Sequence, residues 1–170
     1  MEQFFYKLKN SVTSHNEILE YAKKRNPFYW VFIHSFYVTK VSPELYKNDP
    51  FISTLLERFS GEAVILKMPG RCMYNYHVDF SRSVSINILL NNFDCSHSFY
   101  KVPMTQNGKE DPNLDHIVEI NYQPGDAYML NVEKTHAVIN TGGDRLVFAL
   151  SFNKPLKYEE MLCFVKENNL

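Results

Sequence analysis

Apolar positions follow two regimes along the chain. Up to residue 61 they recur mostly at helical spacing. Ser14 and Glu17 have the spacing of a capping box, and Ile18, Tyr21 and Ala22 follow them on one face. Asp49 as N-cap and Pro50 at the first helical position precede a second stripe of Ile52, Leu55, Leu56 and Phe59. These patterns predict helices over about 15–25 and from Pro50 onward, with the β-branched and aromatic stretch Phe28 to Lys40 between them as strand. From Glu62 the chain changes to short runs of β-formers: Ala63 to Met68, Met73 to His77, Val84 to Leu90, Ser98 to Val102, His116 to Ile120, Ala127 to Val132, His136 to Asn140 and Arg145 to Phe152. Pro69-Gly70, Pro124-Gly125-Asp126 and Thr141-Gly142-Gly143-Asp144 mark corners between them. Short strands at this spacing predict a sandwich or jelly-roll barrel. A last helix carries Tyr158, Met161, Leu162 and Val165 on one face, and the polar segment Pro103 to Asp115 reads as a loop.

Two of the strands divide their faces sharply. Ser83, Ser85 and Asn87 alternate with Val84, Ile86 and Ile88; Arg145, Val147, Ala149 and Ser151 alternate with Leu146, Phe148, Leu150 and Phe152. Three amphipathic helices need an apolar surface to cover. The bulky face is therefore expected beneath them, and the small or polar face is expected to line a cavity.

Composition narrows the function classes. The 18 basic and 19 acidic residues leave a net charge of −1, which argues against a polyanion binder, because non-specific nucleic-acid affinity comes mostly from Lys and Arg. No apolar run approaches the roughly 18 residues of a membrane-spanning helix. Met1 to Asn10 lacks the pattern of a signal peptide, so a cytoplasmic protein is the expectation. Cys72, Cys95 and Cys163 have no CxxC spacing and read as free thiols. The length suits one domain over 1–170: mainly helical support with one strand (1–61), a β core (62–153) and a C-terminal helix (154–170).

His77-Val78-Asp79 is the first candidate site, since i and i+2 on a strand share a face and offer a metal an imidazole nitrogen and a carboxylate. A second pair of this kind, His15-Asn16-Glu17, falls inside the capping box and needs no chemistry. His34, His97 and His116 read as ordinary hydrogen-bonded histidines; Arg82 would ordinarily be a surface charge, and its position between Asp79 and the pocket strand makes contact with substrate or support of the metal ligands the alternative. Downstream stand His136 and, nine residues later, Arg145. If Thr141 to Asp144 is a hairpin loop, Asn140 faces Arg145 and His136 faces Ala149. The histidine and arginine then project from one face, roughly 13 Å apart at about 3.3 Å per residue. That gap suits a small dicarboxylate chelating a metal at one end and pairing with arginine at the other.

With these residues in hand, the chain resembles the Fe(II)- and 2-oxoglutarate-dependent oxygenases, most closely the prolyl hydroxylase and aspartyl/asparaginyl hydroxylase branches. The family pattern H-x-D…H…R falls on His77, Asp79, His136 and Arg145 in order, within Met68-Pro69-Gly70, Tyr74 to Asp79 and Lys134 to Arg145. The resemblance covers about Ala63 to Phe152. It implies a mainly β, double-stranded β-helix fold (jelly-roll, cupin-like) with supporting α-helices.

The resemblance further implies that His77, Asp79 and His136 hold Fe(II) as a 2-His-1-carboxylate triad with three open positions, two for the 2-oxo acid and one for O2. Arg145 is then the partner of the distal carboxylate, and Asn87, Leu89, Val147 and Ala149 line the cosubstrate slot. Many relatives carry a hydroxyl residue two positions after the arginine, where this chain has Val147; Tyr74 or Tyr76 is the expected substitute donor. Because the acidic ligand Asp79 is present, hydroxylation is the expected reaction, with ascorbate as reductant. The expected substrate is an amino-acid side chain in a peptide or protein. A free amino acid or other small metabolite, and a non-catalytic metal-binding β-helix protein, are the alternatives. Neither nucleic acid nor a membrane is an expected partner.

Overall fold

The computed structural model describes residues 1–91, 96–106, 109–153 and 155–170. In chain order the elements are β1 (Phe5–Lys7), α1 (His15–Lys24), β2 (Val31–Ile33), β3 (Phe36–Lys40), α2 (Pro50–Arg58), β4 (Gly61–Met68), β5 (Cys72–His77), β6 (Arg82–Leu89), β7 (Ser96–Gln106), β8 (Lys109–Ile120), β9 (Ala127–Asn131), β10 (His136–Asn140), β11 (Arg145–Asn153) and α3 (Tyr158–Glu167). They form two antiparallel sheets. The major one has the order β1-β9-β6-β11-β4-β3-β2, and the minor one has the order β5-β10-β7-β8. This is the jelly-roll expected of a double-stranded β-helix.

The two-faced strands explain the layering. Val84, Ile86, Ile88, Leu146, Phe148, Leu150 and Phe152 are buried in one core with Ile18, Ala22, Ile52, Leu55, Met161 and Val165 of the three helices. Each fully buried side chain of this size contributes about 1.5–3 kcal/mol. The opposite face of the same strands, with Ser85, Asn87 and Arg145, looks into the space between the sheets.

Helix entry differs in one detail from the sequence pattern. Asp49 caps α2 as expected, its Oδ1 accepting from the amides of Phe51 and Ile52 at 3.0 and 3.1 Å. Its Oδ2 also accepts from the Thr13 amide and hydroxyl, both at 2.6 Å, so one buried carboxylate anchors the start of both helices. Ser14 is the N-cap residue of α1 but makes no capping bond. Its backbone, at φ −85° and ψ 27°, lies outside the extended region from which an N-cap oxygen reaches the helix amides.

Three further departures matter. The segment Phe28 to Lys40 is a hairpin rather than one strand, with His34 in the left-handed region (φ 54°) at its tip. The expected loop Pro103 to Asp115 is largely an extension of the β7–β8 hairpin, paired through Met104↔Asp111 and Gln106↔Lys109, with residues 107 and 108 outside the described set. Polar composition misled there because β8 is the edge of its sheet, where polar residues and a proline are tolerated. Most consequential, β10 and β11 do not pair: β10 lies in the minor sheet and β11 in the major one. The turn after Asn140 carries the chain across the sandwich instead of folding it back as a hairpin.

That crossing is fixed by a buried amide. Asn140 Nδ2 donates to the carbonyls of Met68, Pro69 and Gly143 at 3.1, 2.9 and 2.7 Å. Gly70 packs so closely that a Cβ there would lie 2.0 Å from the Gly142 carbonyl oxygen. Cys72 and Cys163 are free thiols, and Cys95 lies outside the described residues. Among the described residues no helix is long and apolar enough to cross a membrane.

Candidate metal centre and anion pocket

His77 ends β5 and His136 begins β10, and the two are register partners on the minor sheet. The pairing shifts between His136↔His77 and Val138↔Tyr74, so Asn75 and Tyr76 together stand opposite the single residue Ala137. The extra residue is a β-bulge, which re-aims side chains. It puts Tyr74 and His77 on one face with ring centroids 3.8 Å apart. Asp79 lies beyond the strand end. Its amide donates to the Val132 carbonyl at 2.8 Å, which turns the carboxylate back toward the histidines.

Each imidazole is held by the carbonyl two residues before it, His77 Nδ1 at 2.7 Å from Asn75 O and His136 Nδ1 at 2.8 Å from Lys134 O. With Nδ1–H donating, both rings present Nε2 as a lone-pair donor. The His77 Nε2 to Asp79 Oδ1 distance is 3.6 Å, and one ligand atom from each of His77, Asp79 and His136 lies within 4.8 Å of the others. Burial, the largest influence, pushes the His136 imidazole below its ordinary pKa, which favours the neutral form that binds metals. Two imidazole nitrogens and a carboxylate at this spacing fit a divalent iron ion with open positions.

Arg145, at the start of β11, enters the same cavity from the other sheet. It is 4% exposed, Nη2 donates to Ser98 Oγ at 3.1 Å, and its guanidinium lies 5.5 Å from the Tyr122 ring centroid. No carboxylate pairs with it among the described residues. Ser98 is the register partner of Val138, two residues from His136. The cation therefore meets the minor sheet about 7 Å along the strand from the His136 position, rather than the roughly 13 Å that a β10–β11 hairpin implied. The two groups converge from facing sheets, not from neighbouring strands.

The remaining candidates separate. Asn87 is on the cavity wall, its Oδ1 accepting from Ser85 Oγ at 2.8 Å. Leu89, Val147 and Ala149 form a buried apolar cluster with Val64, Leu66 and Tyr122, of which Leu66 reaches the wall. Tyr74 lines the cavity, whereas Tyr76 points elsewhere, its ring 5.7 Å from Lys101 Nζ. His34 stacks on Tyr74, His97 pairs with Glu119 on β8, and His116 is exposed, so none joins the metal cluster. Arg82 does contact the site, donating to Asp79.

Tyr122, Ser98 and Tyr100 are neighbours that sequence reasoning missed. Tyr122 is pushed well above the ordinary tyrosine range by burial, and its hydroxyl is buried without a well-formed hydrogen bond, beside Asn87 and Arg145. Tyr100 donates to Asn131 O at 3.0 Å and places its ring 5.7 Å from that of His136. The only sequence hint was the position of Tyr122 just before the Pro124-Gly125-Asp126 turn, which does not single it out among 11 tyrosines.

A larger groove, about 1030 Å³, lies outside the sandwich between α1, Trp30, Lys67 and Asp144. Its cations are already engaged: Lys67 with Asp144 at 2.6 Å, Lys24 with Glu20 at 3.7 Å, and Arg25 over the Tyr29 ring. His77, His136 and Arg145 line the smaller inner cavity instead.

No protein-family model and no curated protein matches the chain. Solved structures do. A Trichoplax adhaerens prolyl hydroxylase, in complex with a hypoxia inducible factor oxygen degradation domain peptide fragment, matches at TM-score 0.62 and 15% identity over 93% of this chain and 86% of its own. A Pseudomonas putida prolyl-4-hydroxylase matches at 0.62 and 12% over 89% and 93%. HygX from Streptomyces hygroscopicus, with nickel, 2-oxoglutarate and hygromycin B bound, matches at 0.60 and 12% over 91% and 84%. The chain also spans about a third of a Solanum melongena vicilin (32%, TM-score 0.47). The chain shares its two-sheet jelly-roll fold with these prolyl hydroxylase and 2-oxoglutarate-bound structures.

Proposed function

We propose that residues 1–170 act as one oxygenase domain that hydroxylates an amino-acid side chain in a peptide or protein rather than a free metabolite. The carrying observation is the buried Arg145 guanidinium, with no acidic partner among the described residues, in the cavity that also holds His77 and His136. An uncompensated buried charge is costly, which is consistent with a site completed by an anionic ligand. A 2-oxo diacid satisfies both ends of that cavity.

In this reading His77, Asp79 and His136 hold Fe(II), which when bound supplies the activation of O2 coupled to oxidative decarboxylation. The balance is 2-oxoglutarate, O2 and a substrate C–H giving succinate, CO2 and substrate C–OH. Arg145 and Ser98 bind the distal carboxylate, with Tyr122 as a further donor that burial keeps protonated. The apolar layer of Leu66, Leu89, Val147 and Ala149 limits water beside that end. The exposed Phe80, directly after Asp79, favours a peptide substrate over a small polar metabolite.

Purified protein with Fe(II), ascorbate and 2-oxoglutarate is expected to form succinate slowly without substrate, and to melt higher when 2-oxoglutarate and metal are both present. His136→Ala abolishes both effects. Peptide arrays read by a +16 Da mass shift then test the substrate class. Metal affinity with no response to 2-oxoglutarate sinks the oxygenase reading in favour of a metal-binding β-helix protein.

A further inference from the structure

We propose that Arg82 is a positioning residue that restricts the Asp79 carboxylate to a single metal-facing oxygen. The inference rests on the metal-centre reading above and adds a residue to it. Arg82, the first residue of β6, sits three positions after Asp79 across a short bend. Its Nη2 lies 2.5 Å from Asp79 Oδ2, and its Nη1 donates to Ser151 Oγ at 2.9 Å. Asp79 Oδ1 is the oxygen beside His77 Nε2. One carboxylate oxygen is thus committed to a cation and the other to the cluster.

The division has a countable consequence. A free aspartate can bind a metal through one oxygen or both. With two histidines and one oxygen, a six-coordinate ion keeps three positions; with both oxygens it keeps two. Chelation of a 2-oxo acid uses two positions, so the third is available only in the first case. Arg82 suits the task because a guanidinium presents its donors in a fixed planar fork. Here one donor is anchored on β11 through Ser151 while the other holds Oδ2. The side chains are mostly buried, 29% exposed for Arg82 and 12% for Asp79, which limits exchange with solvent.

Mn(II) is the probe, with coordinated waters counted by water-proton relaxation in the absence of 2-oxoglutarate. Three waters are expected for the unaltered protein and two for Arg82→Met, whose side chain fills similar space without donors. Arg82→Lys, which keeps a cation near Oδ2 but loses the bond to Ser151, is expected to return the count toward three. Metal-free melting curves establish that each variant is folded, and Arg82→Leu, which also lacks a donor, replaces the methionine variant if that one melts early. Three waters in the folded donor-free variant would overturn this inference and leave the metal centre standing. Failure of the unaltered protein to bind Mn(II) would overturn the metal centre itself.

Discussion

The guanidinium of Arg145 lies against the ring of Tyr122, 5.5 Å from its centroid, and the tyrosine hydroxyl beside it is buried with no well-formed hydrogen bond. A buried orphan hydroxyl weakens the ligand-free protein, and the same hydroxyl strengthens binding of an anion that reaches it. Tyr122→Phe is therefore expected to raise the metal-free melting temperature slightly. It is also expected to weaken 2-oxoglutarate binding roughly ten- to a hundred-fold, the loss of one hydrogen bond to a charged group. Calorimetric titration in the presence of Mn(II) measures the second effect, and equal affinities would remove Tyr122 from the site.

In the proposed function Arg145 sets ligand binding against stability. Replacing even a buried ion pair by apolar side chains of similar volume is often neutral or stabilising by about 1–4 kcal/mol, and an unpaired buried charge is the costlier starting point. Arg145→Met is expected to melt higher by about 2–4 °C per kcal/mol for a chain of this size. The variant should show no 2-oxoglutarate response at all. A lower melting temperature would mean that Ser98 and Tyr122 compensate the charge without a ligand.

The crossing between sheets offers a structural test. Asn140→Ala removes three bonds to buried or half-buried carbonyls, at about 1 kcal/mol each, and is expected to destabilise by about 2–4 kcal/mol. Gly70→Ala forces the Gly142 backbone to move and is expected to cost at least as much. Denaturant melts measure both. Because Arg145 follows that turn, a surviving Asn140→Ala protein should also bind 2-oxoglutarate more weakly, and retention of full affinity would show that β11 holds its arginine unaided.

Tyr74 and Tyr76 were equivalent candidates by sequence and are not equivalent in the fold. Tyr74→Ala is expected to alter 2-oxoglutarate or metal affinity, because it removes the ring that lines the cavity against His77, whereas Tyr76→Ala should leave both unchanged. The pair of titrations fails the geometry if Tyr76 proves the sensitive position.

What was legible in the sequence had a local physical signature. The alternation of Val84, Ile86 and Ile88 with Ser85 and Asn87 announced a sheet with a covered face and a lined face, and the Asp49-Pro50 pair announced a helix start. The order of His77, Asp79, His136 and Arg145 carried the family resemblance. Long-range pairing left no such mark. Thr141 to Asp144 has the composition of a hairpin turn, and contacts with residues some 70 positions away, the grip of Asn140 on Met68 and Pro69 among them, accompany the passage of the chain to the other sheet. The bulge that separates Tyr74 from Tyr76 exists only in the pairing of β5 with β10. Tyr122 was hidden because burial, not residue type, makes it special.

The register that brings Ser98 opposite Val138 while His136 stands opposite His77 has an implication for ligand length. Side chains return to the inner face of a strand only every second residue, so the separation between the histidine end and the arginine end changes in steps of about 7 Å. A diacid one carbon longer or shorter cannot be matched by sliding the grip along the strand. Under the proposed function, discrimination between such homologues comes from what fills the space between the two ends, which makes the small face of β6 and β11 the place where chain-length preference is written.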